Sequence, residues 1–307
     1  MAHLKIGIQL PEVERELRWP ELKQMAQLAE SVGFDSLWVG DHLLYRYADG
    51  NRGPWEAWSM LAALAAVTER VELGPLVACT SFHSPAMLAK KAAAVDEISG
   101  GRLILGLGAG WNEPEFTAYG IPFDHRVDRF AEAFTIIRTL LREGYVDFDG
   151  TYYQARDCQL LPRGPRAGGP PLMIGSNGPR MLNLTLPYVD SWNAWYAWFG
   201  NEVEKLLPML AAVDETSVAV GRDPATVERT VAVLVRTEGG SGRRVVDERG
   251  RSSQPVAGTP RAIADGLLAY AAAGISHIQL IVDPITLPSI ESLAPALELV
   301  RAGVSTG

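Results

Sequence analysis

The sequence predicts a (β/α)8 TIM barrel with a hairpin insertion and loop insertions at its C-terminal mouth. Apolar strand-like runs alternate with helical patterns along the whole 307-residue chain. They make about eight strand–helix units, the number that such a barrel requires. The strands are continuous apolar runs, as expected when both faces of a parallel sheet are buried. A doubly wound sheet is the alternative, but it usually has fewer units in this length. We expect one domain spanning residues 1–307.

In the first half of the chain, four strands alternate with four helices. The predicted strands are Leu4–Leu10, Ser36–Gly40, Val71–Ala78 and Leu103–Leu107, and the predicted helices are Pro20–Val32, Pro54–Thr68, Pro85–Ile98 and Val127–Arg142. The helical spacing of apolar residues identifies the helices, and Gly33 is a typical stop signal after the first of them. Pro85 suits the first turn of a helix, where a backbone N–H is not needed. No helical pattern follows directly after Pro114.

The second half begins with an interruption of this alternation. An Asp149-Gly150 turn between two short runs predicts a hairpin within Tyr145–Leu161, and a Gly/Pro loop follows it. The alternation then resumes with predicted strands Leu172–Gly175, Ser191–Tyr196, Val227–Thr237 and His277–Val282, and predicted helices Pro179–Val189, Val203–Val220, Pro260–Ala273 and Leu287–Ala302. The polar, glycine-rich segment Gly239–Gly258 is expected to be a mobile loop.

Composition narrows the class of partner. The net charge of −8 argues against nucleic acid. No apolar run is long enough to span a bilayer, and the N-terminus lacks the layout of a signal peptide, so a cytoplasmic protein with a small-molecule substrate is expected. Cys79 and Cys158 are the only cysteines and do not indicate a disulfide framework. The scattered His and Cys residues lack the spacing of a zinc site, so no metal is expected.

Two strand ends are rich in glycine. Gly108, Ala109 and Gly110 follow the strand ending at Leu107, where backbone N–H groups could approach a ligand closely. The alternative is that these glycines make room for neighbouring side chains. Gly175, Ser176, Asn177 and Gly178 lead into a helix, and free N–H groups at a helix start favour a phosphate. An ordinary strand-to-helix cap is the alternative there.

His42 is the best candidate for proton chemistry, because an imidazole titrates near neutrality and lies here at a strand end beside Asp41. Its alternative role is local packing. Glu113 and Glu115 could form an acid/base pair, or they could be part of a solvated turn. His83 is expected to be structural. His277 begins the last strand, on the face of a barrel that serves stability.

Aromatic residues indicate an apolar or aromatic substrate. Several cluster at and beyond the strand that ends near Tyr196, and small-molecule pockets are mostly apolar with a few polar groups. Trp195, Trp198 and Phe199 are the candidates there for a pocket wall, and part of this aromatic cluster could instead be structural.

These residues carry a family resemblance. The chain resembles the bacterial luciferase-like superfamily and, within it, the oxidoreductases that use the deazaflavin coenzyme F-420. The matching segments cover residues 37–43, 73–77, 98–111, 119–123 with Arg126 and Arg129, and 258–264. The resemblance implies a (β/α)8 barrel with a flavin or deazaflavin at its mouth. It also implies that Asp41 and His42 lie beside the reactive ring.

The resemblance assigns further roles. It implies a bulge at Val77, Ala78 and Cys79 that supports the ring, in many members through a non-proline cis peptide. The two glycine-bearing strand ends, with Asn112, would hold the phosphate-bearing tail. Sugar-phosphate dehydrogenases of this group carry a catalytic Glu where this chain has Trp111, so Trp111 is assigned to the substrate pocket and a sugar phosphate is not expected.

The function implied is hydride transfer between coenzyme F-420 and a small organic molecule, by an enzyme that resembles homodimeric members of the family. An FMN-dependent monooxygenase that receives reduced flavin from a partner reductase is the first alternative. A non-catalytic flavin-binding protein is the second. Arg163, Arg166 and Arg180 lie in or next to the loops flanking Leu172–Gly175, and a basic rim there would attract the glutamate tail of F-420.

Overall fold

The computed structural model describes residues 4–240 and 253–305. Its strands are β1 (Lys5–Gln9), β2 (Ser36–Val39), β3 (Tyr45–Tyr47), β4 (Gly50–Arg52), β5 (Glu72–Pro75), β6 (Ala78–Cys79), β7 (Leu105–Gly108), β8 (Tyr145–Asp149), β9 (Gln154–Gln159), β10 (Leu172–Ile174), β11 (Ser191–Ala194), β12 (Glu228–Arg236), β13 (Val256–Ala257) and β14 (His277–Asp283). Its α-helices are α1 (Trp19–Val32), α2 (Ala57–Val67), α3 (Pro85–Ser99), α4 (Glu113–Ala118), α5 (Arg126–Glu143), α6 (Pro179–Thr185), α7 (Val203–Ala219), α8 (Pro260–Ala272), α9 (Leu287–Ser292) and α10 (Ala294–Ser305).

All eight predicted barrel strands are present. They correspond in order to β1, β2, β5 with β6, β7, β10, β11, β12 and β14. The predicted hairpin is also present, because β8 and β9 pair in antiparallel fashion. Part of the predicted Gly239–Gly258 loop, residues 241–252, lies outside the described residues, as does His3.

Three local predictions are wrong, and one hairpin was not predicted. The helix α4 begins just before Pro114, which occupies its first turn rather than preventing it. The hairpin of β3 and β4 was not predicted. The predicted strand Val71–Ala78 is divided into β5 and β6, and the predicted helix Leu287–Ala302 is divided into α9 and α10 at Leu293.

The chain divides into two compact units. The first comprises residues Met1–Pro11, Leu17–Trp38 and Gly175–Gly307, and the second comprises Glu12–Glu16 and Val39–Ile174. In the first unit β2, β1, β14, β12 and β11 form a continuous parallel ladder. In the second unit β10, β7 and β6 form a parallel ladder.

Helix α1 shows how the sequence builds the first unit. Its apolar positions recur on one face, so Leu22, Met25, Ala26 and Ala29 are buried together. It ends at Gly33, whose φ of 104° is a left-handed conformation that glycine adopts without strain. The helical spacing read from the sequence is thereby confirmed.

His277 stabilises the amino end of β14 in the first unit. Its Nε2 lies 2.7 Å from the Ser36 hydroxyl, which also accepts a hydrogen bond from the Trp38 indole at 2.7 Å. Burial lowers the pKa of His277 to about 3. The imidazole is therefore neutral at physiological pH, as expected of a structural histidine.

Among the described residues, no helix is both long enough and apolar enough to cross a bilayer. Within the same described part of the chain, no group of three or more His, Cys, Asp or Glu side chains is arranged to hold a metal ion.

Candidate active site

His42 and Glu115 form the centre of the candidate site, in the second unit. His42 Nδ1 lies 2.9 Å from Glu115 Oε1, and the Glu115 side chain is only 1% exposed. Glu115 Oε2 accepts hydrogen bonds from the backbone N–H groups of Leu43 at 2.8 Å and Leu44 at 3.3 Å. Since a carboxylate that receives these donors can only accept, the Nδ1 hydrogen of His42 is directed at Glu115. His42 Nε2 is then the nitrogen available for proton exchange.

The charges around His42 favour its protonated form. Burial lowers the pKa of His42, but Glu12, Glu115 and Asp41 act in the opposite direction, and the net pKa is raised above 6.5. Part of the Glu115 effect is its hydrogen bond to the ring. A histidine whose proton is held by neighbouring carboxylates can serve as a general acid.

Asp41 does not contact His42 through a hydrogen bond among the described contacts; it serves a neighbouring network. Asp41 Oδ2 lies 2.9 Å from His83 Nε2 and accepts the backbone N–H of Cys79 at 2.9 Å. Lys91 Nζ lies 3.4 Å from the other nitrogen of His83. Asp41 is thereby fixed against β6, and His83, which was expected to be structural, is the residue that orients it.

The segment between β5 and β6 contains a cis peptide bond between Leu76 and Val77. This feature, which the family resemblance implies, is confirmed. Val77 is partly exposed, whereas Ala78 and Cys79 are buried. Burial raises the pKa of the Cys79 thiol well above its usual range, so this thiol is not a nucleophile.

The glycines after β7 are required by neighbouring side chains. Gly110 has a φ of 78°, and a Cβ there would lie 2.5 Å from Cys79 Sγ and 2.6 Å from Phe116 Cζ. Its carbonyl accepts a hydrogen bond from Arg126 at 2.6 Å. At Gly110 the structure therefore favours the packing alternative. Gly108 is buried and Ala109 is partly exposed, and their role in binding a cofactor stays a prediction.

The second glycine-bearing segment belongs to the first unit. A Cβ added at Gly178 would meet no heavy atom within 4 Å, so its backbone borders open space. Asn177 is exposed, and Gly175 and Ser176 are partly exposed. The Ser176 carbonyl accepts the indole N–H of Trp192 at 2.8 Å. Access for a phosphate exists here, and its binding stays a prediction.

The candidate pocket residues have different surroundings. Trp111 is 51% exposed and its ring centroid lies 5.6 Å from that of His42. Trp195 and Trp198 are partly exposed, whereas Phe199 is buried and its ring packs against Tyr270 of α8 at 6.2 Å. The Asn112 side chain, assigned to the cofactor, donates to the Leu44 carbonyl at 2.9 Å.

The predicted basic rim is wrong for two of its three arginines. Arg163 donates to four backbone carbonyls. Arg166 pairs with the fully buried Asp96 and donates to the Leu103 carbonyl, which precedes β7. Arg163 thus holds its loop against the carboxyl end of α5, and Arg166 holds the same loop against the segment before β7. Arg180 lies exposed on α6.

Sequence reasoning missed Glu115 as the partner of His42, although it named Glu113 and Glu115 as either an acid/base pair or part of a solvated turn. It also missed Glu12 and Tyr45. Glu12 accepts a hydrogen bond from the Tyr45 hydroxyl at 3.3 Å, and its charge raises the pKa of His42. The spacing Glu113-Pro114-Glu115 offered a signal, because Pro114 can start a helix that turns the second carboxylate inward.

Comparison with known proteins identifies relatives. The family described as luciferase-like monooxygenase matches residues 4–238. The 5,10-methylenetetrahydromethanopterin reductase of Archaeoglobus fulgidus is 36% identical over 187 residues, which cover 61% of this chain and 52% of that protein. The F420-dependent glucose-6-phosphate dehydrogenase of Amycolatopsis mediterranei is 32% identical over 219 residues, covering 69% of this chain and 64% of that protein. The chain thus matches about half to two thirds of the length of these relatives.

A solved structure shows the fold. An F420-dependent secondary alcohol dehydrogenase in complex with an F420-acetone adduct matches with a TM-score of 0.81, at 20% sequence identity, over 97% of this chain and 99% of that one. The fold class predicted from the sequence, a (β/α)8 barrel of the luciferase-like type, is confirmed.

Proposed function

The chain belongs to the luciferase-like monooxygenase family, and we propose that it is an oxidoreductase that transfers a hydride between coenzyme F-420 and a small, apolar organic substrate. The observation that carries this proposal is His42, whose Nδ1 is bound to the buried Glu115 and whose pKa is raised. Hydride transfer to or from a carbonyl or an alcohol needs a proton at the neighbouring atom. His42 Nε2 is the group that exchanges this proton.

The residues of the site fit a deazaflavin. The ring would lie beside Asp41 and His42 and against the partly exposed Leu76–Val77 peptide. Gly108 and Ala109, which lie in the same unit as His42, would offer backbone contacts to the phosphate-bearing part of the cofactor. Coenzyme F-420, when bound, supplies or accepts the hydride; the protein supplies orientation and the proton. A relative that is 32% identical to this chain over 219 residues is named as F420-dependent.

The charge at His42 favours reduction of the substrate. Because the pKa of His42 is raised, a larger share of the imidazole is protonated near neutral pH, and a protonated His42 can donate to a developing alkoxide. Glu115 orients the imidazole through its hydrogen bond to Nδ1, which would leave Nε2 to act on the reacting atom. Glu12 and Asp41 add to the negative field that keeps the proton on His42.

A sugar phosphate is not the substrate that this site favours. The groups whose charges act on His42 are the carboxylates of Glu12, Glu115 and Asp41, and they would repel a phosphate bound next to it. The dehydrogenase named above acts on glucose 6-phosphate, and this chain has Trp111 in place of a carboxylate directly after Gly110. We assign an uncharged, apolar substrate instead.

The test combines binding and turnover. Fluorescence titration of the purified protein should show tighter binding of coenzyme F-420 than of FMN. The His42→Asn variant should lose turnover by about 100-fold or more, the scale of a general acid, with the dissociation constant for F-420 within about tenfold of wild type. Full turnover in His42→Asn would remove His42 from the mechanism, and absence of F-420 binding would overturn the cofactor assignment.

An FMN-dependent monooxygenase is the second candidate, since the matching family is described as a monooxygenase family. Such an enzyme would take reduced flavin from a partner reductase. Tighter binding of FMN than of F-420, with oxygen consumption when reduced FMN is supplied, would favour it. A protein that binds a flavin without turnover under either condition would be the non-catalytic alternative. Assembly as a homodimer remains a proposal, to be measured by sedimentation.

A further inference from the structure

Two aromatic rings flank His42 in the second unit, and a third stacks on one of them. Tyr45 and Trp111 flank it, with ring centroids 4.7 Å and 5.6 Å from that of His42. Tyr47 stacks on Tyr45 at 5.9 Å with an interplanar angle of 15°. Tyr45, Tyr47 and Trp111 are called the aromatic ladder below. It leads from the proton-exchanging histidine to the protein surface.

Contacts on the unexpected hairpin hold the ladder in place. The Arg52 guanidinium of β4 lies 4.9 Å from the centre of the Tyr47 ring and donates to Asp49 at 2.6 Å. The Tyr45 hydroxyl is fixed by Glu12 at 3.3 Å. Because these contacts hold the Tyr45 hydroxyl and the face of the Tyr47 ring in place, the ladder presents a preorganised surface, and preorganisation favours binding.

Two rings of the ladder are unusually exposed for aromatic side chains of their size. Trp111 is 51% exposed and Tyr47 is 42% exposed. Large aromatic rings that share one exposed surface usually mark a binding site, and this one adjoins His42, whose side chain is 19% exposed. The molecule that binds there would therefore be the one that exchanges a proton with His42.

The charged groups near His42 determine which flat molecules the aromatic ladder can bind. Glu12, Glu115 and Asp41 disfavour an anion next to His42. The carboxylates also favour the imidazolium form of His42. This cation lies next to the rings of Tyr45 and Trp111, where a cation–π interaction is possible. Two positive groups already adjoin the ladder, this imidazolium and the Arg52 guanidinium 4.9 Å from the centre of the Tyr47 ring, and both would repel a cationic ligand. A neutral molecule avoids both penalties.

We propose that the aromatic ladder selects substrates that carry an uncharged, flat aromatic ring next to the reacting atom. The ring packs on Trp111 and Tyr45, with Tyr47 extending the surface outward. This inference rests on the proposed function only for naming the bound molecule a substrate. The ring preference itself is a property of the protein and needs no turnover.

The experiment compares two ketones of nearly equal size, acetophenone and cyclohexyl methyl ketone, of which only the first has a flat ring. Each is titrated into the protein, and binding is followed through the imidazole signals of His42 by NMR. Wild type should bind acetophenone about three- to tenfold more tightly. Trp111→Leu should lose this preference and Trp111→Phe should keep most of it. Tyr145→Leu, which removes an exposed aromatic ring on β8, should leave it unchanged.

Several outcomes would overturn the inference: equal affinities in wild type, no binding of either ketone, or a preference that survives in Trp111→Leu. A circular dichroism spectrum and a thermal melt that match wild type verify the fold of the ligand-free Trp111→Leu protein. The titration is repeated with coenzyme F-420 present, and loss of acetophenone binding would mean that the ladder holds the cofactor ring. Absence of hydride transfer with F-420 would overturn the proposed function while leaving the ring preference standing.

Discussion

Replacing Glu115 by Gln should reduce the proton affinity of His42 strongly. The introduced amide has nearly the same shape as the carboxylate but carries no charge. A hydrogen bond to a charged partner contributes about 1.5–3 kcal/mol, and the buried position of Glu115, 1% exposed, leaves little solvent screening. At 1.36 kcal/mol per tenfold change, the imidazolium of His42 should lose about 10- to 150-fold in proton affinity. Burial, which acts against the charged form, then dominates the pKa of His42.

The assay is an NMR pH titration of the imidazole signals. The chain has five histidines, so the His42 signal is assigned by its absence in His42→Asn. Stability gives a second readout. Because the pKa of His42 is raised above 6.5 in the folded protein, its protonation stabilises the fold fully below about pH 6.5, and this contribution disappears as the pH rises through the folded-state pKa. Urea unfolding at several pH values should show this dependence in wild type and not in Glu115→Gln.

Glu113→Gln is the matched control, since Glu113 is exposed and lies two residues away on the same helix, α4. It should titrate like wild type. If His42 titrates identically in Glu115→Gln and wild type, the carboxylate of Glu115 does not hold the proton, and its role is only to position the backbone of Leu43. If both variants shift His42 equally, the effect is one of net charge rather than of the hydrogen bond.

Three further predictions concern the framework. Arg166→Ala leaves the carboxylate of Asp96 buried without its ion-pair partner, so the free energy of unfolding in urea should fall by about 3 kcal/mol. The affinity for F-420 should stay unchanged. A loss of F-420 affinity with unchanged stability would restore the interpretation of Arg166 as part of a basic rim. In Gly110→Ala, the alanine would have to adopt the left-handed backbone conformation of Gly110, and its Cβ would lie 2.5 Å from Cys79 Sγ. A thermal melt should therefore show a lower Tm than that of wild type. An unchanged Tm would contradict the assignment of Gly110 to packing. His277 has a pKa of about 3 when folded and near 6.5 when unfolded. Wild type should therefore lose stability on acidification between about pH 6.5 and 3, by up to about 1.4 kcal/mol per pH unit. In His277→Gln, the free energy of unfolding should depend less steeply on pH.

The order of the barrel elements could be predicted from sequence because each depends on local information. Apolar runs such as Val227–Thr237 are too long and too β-branched to be turns, and β12 occupies Glu228–Arg236 within that run. The observed ends of the strands and helices differ from the predicted ends where tertiary contacts determine them. The strand predicted over Val71–Ala78 is interrupted at Leu76, whose backbone N–H donates to Val39 at 2.8 Å. No property of the run itself encodes a partner that lies more than 30 residues away.

The same reasoning explains which parts of the site could be predicted. His42 and Asp41 were found because they end an apolar run, which is a local signal. Glu115 was left between two interpretations, since only the turn of α4 brings its carboxylate to within 2.9 Å of His42, 73 residues earlier. Arg166 was misplaced for the converse reason. Its sequence neighbourhood marks a loop beside β10 without showing which end of the strand that loop serves, and the buried charge of Asp96 determines that it serves the amino end. Long-range pairing of charges therefore decides which polar residues take part in the chemistry and which stabilise the fold.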